Sequence, residues 1–408
     1  MASRRVVVHC LLLVFAFSLP FPANAQSQSK PAAPDATNPP ASLSPDRARF
    51  AFGGNVAEVP ATFSENLVFL PANMNGSAPS LFVVDTSADD TSVDPKRAAE
   101  LGVGMNQQVA LVFPGVMFSF RSLPELARDL GADTGRQYGG TIGGDVLSRA
   151  VIAIDYARDT VRMFDPGTYK YEGHGGVLPL SFTDGMPVIR AKFSTPKGKQ
   201  MEADFGVDTA LIAGIVMSQN FSEAHRLFPT KGKISQAYDP QLKGGENVSL
   251  FRLRYFKIAG SAAEDPIAEV SSSNIATSKD LKLAGVIGGG LLQRFNIVLD
   301  YAQKKIIFEA NSNFKNYDEE DKSGIALIAT GTGLKTLQVA HVEPKSPAAE
   351  AGIQQGDVIA GIDDEPAADI SLASAREMFR DVGHKYKLLI QRGDKTKEVT
   401  IQTQRLLD

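Results

Sequence analysis

The chain has 408 residues, enough for two to four domains of ordinary size. Its 42 lysines and arginines stand against 46 aspartates and glutamates, and a formal net charge of −4 gives no electrostatic footing for nucleic acid or an anionic membrane. At 43% hydrophobic residues it can build normal cores.

Taken in order, residues 1–25 read as a signal peptide. Arg4 and Arg5 form a positive start, residues 6–17 an apolar stretch too short to span a bilayer comfortably, and Ala23-Asn24-Ala25 a small-residue cleavage site. The single cysteine, Cys10, leaves with that signal, so the expected mature chain has no disulfide, no thiol nucleophile and no cysteine–metal site. The expected location is periplasmic or secreted. Residues 26–48 are rich in Pro, Ala, Ser and Gln and read as a disordered linker.

From Phe50 the texture is β. Residues 56–63 and 67–71 predict short strands, with Asn75-Gly76-Ser77 as a turn signal. Phe82-Val83-Val84-Asp85-Thr86-Ser87-Ala88 then ends a β-forming run in a carboxylate. Residues 95–101 predict a helix closed by Gly102, residues 109–113 and 116–120 a hairpin around Pro114-Gly115, and residues 123–130 a second helical segment. Ile142-Gly143-Gly144-Asp145 follows, and a closing hairpin runs through residues 151–164.

The second half repeats this order. Phe205-Gly206-Val207-Asp208-Thr209-Ala210 matches the Asp85 run. Ile287-Gly288-Gly289-Gly290 matches the Ile142 run and leads to a closing hairpin at residues 297–308. The second half carries 22 more residues between its two motifs than the first, 79 against 57. Residues 49–178 and 179–315 therefore read as two versions of one lobe. A polar, acidic stretch at residues 311–322 suits a linker to a small α+β domain at residues 322–408. That domain has a strand at 337–342, a helix between Ser346 and Gly352, the turn Gly356-Asp357-Val358-Ile359, a second helix at 373–379, and a hairpin around Gly393-Asp394.

A carboxylate at the end of a buried strand is costly unless something pairs with it or uses it. Two, equivalently placed in a repeat, point to one shared site. Other acids read more plainly: Asp155 and Asp300 as turn formers, and Asp89, Asp90 and Asp94 as a solvated face. Asp133-Thr134-Gly135 follows no β-run, has no counterpart in the second half and reads as a loop. The histidines are scattered without metal-ligand spacing, so no metal and no cofactor are expected. There is no Gly-x-Ser-x-Gly elbow, and Gly331-Thr332-Gly333-Leu334 lacks the third glycine of a dinucleotide site.

The paired Asp-Thr and Ile-Gly-Gly motifs resemble those of retropepsin-like aspartic peptidases with both lobes fused in one chain. Residues 322–408 resemble a bacterial-type PDZ domain. The resemblance implies a mainly β fold, with two acid-protease-like β-barrel lobes plus a small α+β PDZ domain. It implies Asp85 and Asp208 as a water-activating dyad, Thr86 and Thr209 bonded across the lobes, and Gly143 and Gly288 bracing the dyad loops. It implies a peptide or protein substrate and a monomer, since one chain completes the site. In the PDZ-like region it implies that Gly324, Ile325 and Ala326 bind a peptide C-terminus; a bracing domain with a closed groove is the other reading. The hairpin around Pro114-Gly115 is the first-lobe candidate for a flap. Active members carry glycine after Asp-Thr, where this chain has Ser87 and Ala210, and Ala88 and Leu211 offer no hydroxyl to the carboxylates. Two functions stay open: an exported endopeptidase, or a non-catalytic pseudopeptidase that binds peptides in the envelope.

Overall fold

The computed structural model describes residues 47–123, 130–228, 234–242, 245–271 and 283–407, all within one compact unit. The expected signal peptide and nearly all of the leader lie outside the described residues, as does most of the helical segment expected at 123–130. The fold is mainly β, with 46% strand and 14% helix. Among the described residues no helix is long and apolar enough to cross a membrane.

The two sequence repeats are two structural repeats. In the first, strand Thr62–Ser64 turns back into Leu67–Met74, which pairs with Ser80–Val84. In the second, Ser181–Thr183 turns into Met186–Ser194, which pairs with Gln200–Val207. Both strands that end at the aspartates are apolar and buried at their final residues, Phe82 to Val84 and Phe205 to Val207. Each is flanked in parallel by a three-residue strand, Gly140–Ile142 or Gly285–Ile287, from the Ile-Gly-Gly motif. Phe82 is fully buried on its strand, so Phe82→Ala would cost about 3–5 kcal/mol.

The closing hairpins of the two halves join. Val151–Asp155 pairs antiparallel with its own repeat equivalent, Phe295–Asp300. Around that central pair a six-stranded sheet runs in the order Gly176–Pro179, Lys305–Ala310, Phe295–Asp300, Val151–Asp155, Thr160–Phe164, Val56–Pro60. One apolar core runs through both halves, from Val59 and Phe118 to Phe205 and Phe308. Asp155 and Asp300 do form turns, with Asp155 accepting from the amides of Ala157 and Arg158, and Asp300 from that of Gln303.

Two local expectations need correction. Asp94 is not merely solvated: its carboxylate caps helix Pro95–Glu100 by accepting from the Arg97 amide at 2.9 Å. Asp133 and Thr134 belong to a helical turn, Leu130–Thr134, and not to a loop. Thr134 Oγ1 donates to the Leu130 carbonyl at 2.6 Å, and Gly135, at φ +67°, ends the turn. The Pro114-Gly115 hairpin is tied down: Ala51 N donates to Gly115 O at 2.9 Å, and a Cβ on Gly115 would stand 3.1 Å from Cβ of Ala57 in the six-stranded sheet. It corresponds to hairpin Tyr255–Ile258 with Ser261–Glu264, because each pairs with the same strand of its repeat. The 22 extra residues of the second half fall mainly on a further hairpin, Ser235–Asp239 with Glu246–Arg252.

The C-terminal sheet runs Ile325–Thr330, Thr336–Val342, Val358–Ile362, Lys385–Arg392, Lys395–Gln402, with a separate apolar core that includes Leu337, Phe379 and Leu388. Strand Ile325–Thr330 is its edge, and helix Leu372–Met378 lies beside it.

Candidate active site

Each aspartate leaves its strand by the same bond. The amide of Asp85 donates to Ile142 O and that of Asp208 to Ile287 O, both at 3.0 Å. The chain then turns back on the carboxylate. Asp85 Oδ1 accepts from Ser87 N (2.8 Å), Ser87 Oγ (2.7 Å) and Ala88 N (3.1 Å). Asp208 Oδ1 accepts from Ala210 N at 2.8 Å. Asp208 is buried and Asp85 half-buried.

The two turns lock together through their threonines. Thr86 Oγ1 donates to Val207 O at 2.6 Å and accepts from Thr209 N at 3.1 Å. Thr209 Oγ1 donates to Val84 O at 2.6 Å and accepts from Thr86 N at 3.2 Å. Both threonines are 1% exposed, so these bonds form away from water, where an unmade one costs most. Each threonine directly follows its aspartate, so the reciprocal bonds hold the two aspartate turns against each other between the halves.

Gly143 and Gly288 are where the backing segments press closest. A Cβ on Gly143 would fall 2.4 Å from the Asp90 carbonyl, and one on Gly288 would fall 2.3 Å from Ala213 O. The bracing bonds beyond them are Gly144 N to Ala88 O (2.8 Å) and Gly289 N to Leu211 O (2.7 Å). A Cβ at either position would push the backing segment off the aspartate loop.

Three supporting residues escape a reading by motif. Asp145 accepts from Thr91 N (2.8 Å) and Thr91 Oγ1 (2.6 Å), closing the far end of the Asp85 loop; burial raises its pKa, against the pull of the Thr91 bonds. Gln241, at the tip of the extra hairpin, accepts from Ile212 N (2.6 Å) and donates to Ala210 O (3.0 Å), so it spans the Asp208 loop. Asn66 Nδ2 donates to Ile212 O at 2.9 Å, carrying the first half onto the same loop. Tyr301 and its repeat equivalent Tyr156 pack at a tilt against Phe182 and Phe63, with centroids 5.3 and 4.9 Å apart. Burial raises the pKa of both, and the Asp85 charge adds to the effect at Tyr301, which puts that phenol within electrostatic reach of the site.

The PDZ residues lie elsewhere. Gly324 N and Ile325 N donate to Asp321 Oδ1 at 2.6 and 3.3 Å, and Ser323 N and Oγ join them at 2.9 and 2.8 Å. Ala326 lies in the edge strand opposite His341. Burial pushes Asp321 up to about 6, against those four bonds. A cavity of about 240 Å³ separates this loop from the second half, lined by Ile212 and Ala213 of the Asp208 loop together with Tyr238, Glu269, His341 and Arg376. Among the described residues no group of His, Cys, Asp and Glu is arranged to hold a metal ion.

Comparison with known proteins agrees on the C-terminal part, where residues 311–403 match the family model of the PDZ domain. No curated protein matches the chain. Among solved structures, an aspartic proteinase from Irpex lacteus is similar at 12% identity and a TM-score of 0.41, over 64% of this chain and 98% of that one.

Proposed function

We propose that this chain is an exported aspartic endopeptidase whose Asp85 and Asp208 activate water against a peptide bond, with a PDZ domain as its peptide-docking module. The observation that carries the reading is the reciprocal bonding of Thr86 and Thr209, which sets two carboxylate turns from two repeats against each other. Two carboxylates held close keep one proton between them, because both cannot ionise fully.

A water bound between such a pair loses a proton to the ionised member as its oxygen attacks the carbonyl carbon. The protonated member donates to the carbonyl oxygen, giving a tetrahedral diol. Return of a proton to the amide nitrogen breaks the C–N bond and releases a carboxylic acid and an amine. The proton shared at the start is shared again at the end, so no cofactor enters the balance. The loop donors on each Oδ1 hold the carboxylate planes while protons move.

Ser87 supports this reading over the non-catalytic one. In place of a glycine it adds a hydroxyl donor to Asp85 and sits at negative φ, so its Cβ causes no backbone strain. The test is cleavage of an unstructured peptide mixture at mildly acidic pH, with and without pepstatin, beside Asp208→Asn. Pepstatin-sensitive cleavage lost in the variant is expected; equal cleavage by wild type and variant would sink the proposal. Sequencing the N-terminus of protein recovered from the periplasm or medium tests export, with Gln26 expected first.

A further inference from the structure

A PDZ domain receives peptide as an added strand between its edge strand and the neighbouring helix. Here that edge is Ile325–Thr330 and the helix is Leu372–Met378. We infer that the end of this groove at Ala329 and Leu372 is taken up by the chain's own residues 130–135, so that an outside peptide reaching past the cavity beside Gly324 to Leu327 binds only by displacing them.

Five observations meet on this point. The helical turn Leu130–Thr134 lies against strand Ile325–Thr330. Gly135 fits between the two walls: a Cβ there would stand 3.1 Å from Cβ of Leu372 on the helix and 3.7 Å from Cβ of Ala329 on the strand. Arg376, from the same helix, clamps the segment, donating to Asp133 O at 2.8 Å and Leu327 O at 2.7 Å while pairing with Glu65 Oε2 at 2.5 Å. At the other end of the groove, the loop amides that would meet a terminal carboxylate already meet one, Asp321. Strand Ser235–Asp239 covers the flank: Glu343 accepts from Ser235 Oγ (2.8 Å) and Gln236 N (3.1 Å), and Tyr238 stacks on His341 at 5.5 Å.

The occupied groove reaches the aspartates by a short route. Residues 130–135 lead to Gly139, whose amide donates to Leu81 O at 2.6 Å, and then to strand Gly140–Ile142, which holds the Asp85 amide. A peptide that displaces the segment therefore loosens the chain leading into a support of Asp85. The occupancy itself does not rest on the peptidase reading, and its test needs no catalysis.

The test uses the full chain in an Asp208→Asn background, so that probe peptides are not cut. The probe is a pool of fluorescein-labelled decapeptides with free C-termini and randomised last four residues, read by anisotropy. Glu65→Gln weakens the clamp from outside the PDZ domain, and Gly135→Val wedges the segment away from Leu372. If the groove is filled from within, both variants bind the pool about tenfold or more tightly than the parent, because apparent affinity scales with the open fraction. In the parent, saturating peptide lowers the hydrogen-exchange protection of residues 130–135. Parent binding as tight as both variants, with that protection unchanged, overturns the inference. So does an absence of binding in all three proteins.

Discussion

Replacing Thr209 by valine separates a structural lock from an incidental contact. Valine keeps the shape of threonine but removes the hydroxyl that donates to Val84 O and accepts from Thr86 N. Thr209 is 1% exposed, so water cannot replace either bond. Each buried group left unmatched costs about 1–3 kcal/mol, so the variant should lose about 2–6 kcal/mol of stability. Thr209→Ser keeps the hydroxyl and deletes one methyl, which costs about 1 kcal/mol. Urea unfolding of wild type and both variants at one pH, at equal slope, reads the difference directly. Cleavage should fall with stability in Thr209→Val and survive in Thr209→Ser. If the two variants unfold at the same urea concentration, the reciprocal bonds do not hold the halves together and the reasoning fails.

Further outcomes follow from the same geometry. Gln241→Ala removes both side-chain bonds on the Asp208 loop and should lower kcat about tenfold with little change in KM, as expected when a positioning contact worth about 1.4 kcal/mol is lost; steady-state kinetics on a defined peptide decide it. Ser87→Ala removes a hydroxyl donor to a carboxylate, worth about 1.5–3 kcal/mol, and should reduce turnover by at least about tenfold while leaving the fold intact by circular dichroism. Stability should also fall as pH rises. Asp321, at about 6 folded against 3.8 as its ordinary value, holds a proton between those pH values that the unfolded chain has lost, so the folded state loses about 3 kcal/mol of stability across that window. Glu269, raised well above its ordinary value by burial and by Asp239, acts with the same sign. Asp321→Asn should flatten the dependence of the urea midpoint between about pH 4 and pH 7; parallel curves for wild type and variant would show that Asp321 does not titrate in that window.

Much of this arrangement is legible in the sequence because it occurs twice. Asp85 and Asp208 become visible as a pair only through the repeated Asp-Thr and Ile-Gly-Gly runs, and Gly143 and Gly288 mark the close approach of backbone behind them. Gln241 is invisible for the opposite reason. It sits on a hairpin without a partner among the described residues of the first half, and nothing in Pro240-Gln241-Leu242 signals a contact some thirty residues back. Asp133-Thr134-Gly135 reads as a loop because nothing around it marks a helix as short as Leu130–Thr134, and only Leu372 and Ala329, far along the chain, show where it docks. Asp94 reads as solvated from composition alone, but Pro95 after it is a helix-start signal that makes it a cap.

The central pairing of Val151–Asp155 with Phe295–Asp300 also constrains how the protein can be made. The closing hairpin of the first half is complete by Phe164, with Val151–Asp155 then holding only one of its two neighbours. Until the chain has emerged past residue 300, that strand presents an open row of amides and carbonyls backed by apolar Val151 and Ile152. Folding therefore waits on a pairing about 145 positions apart in sequence, slow by loop-closure entropy and prone to capture by another chain's edge. Expressed alone, the first half should self-associate through that edge, and supplying the second half in trans should compete with it.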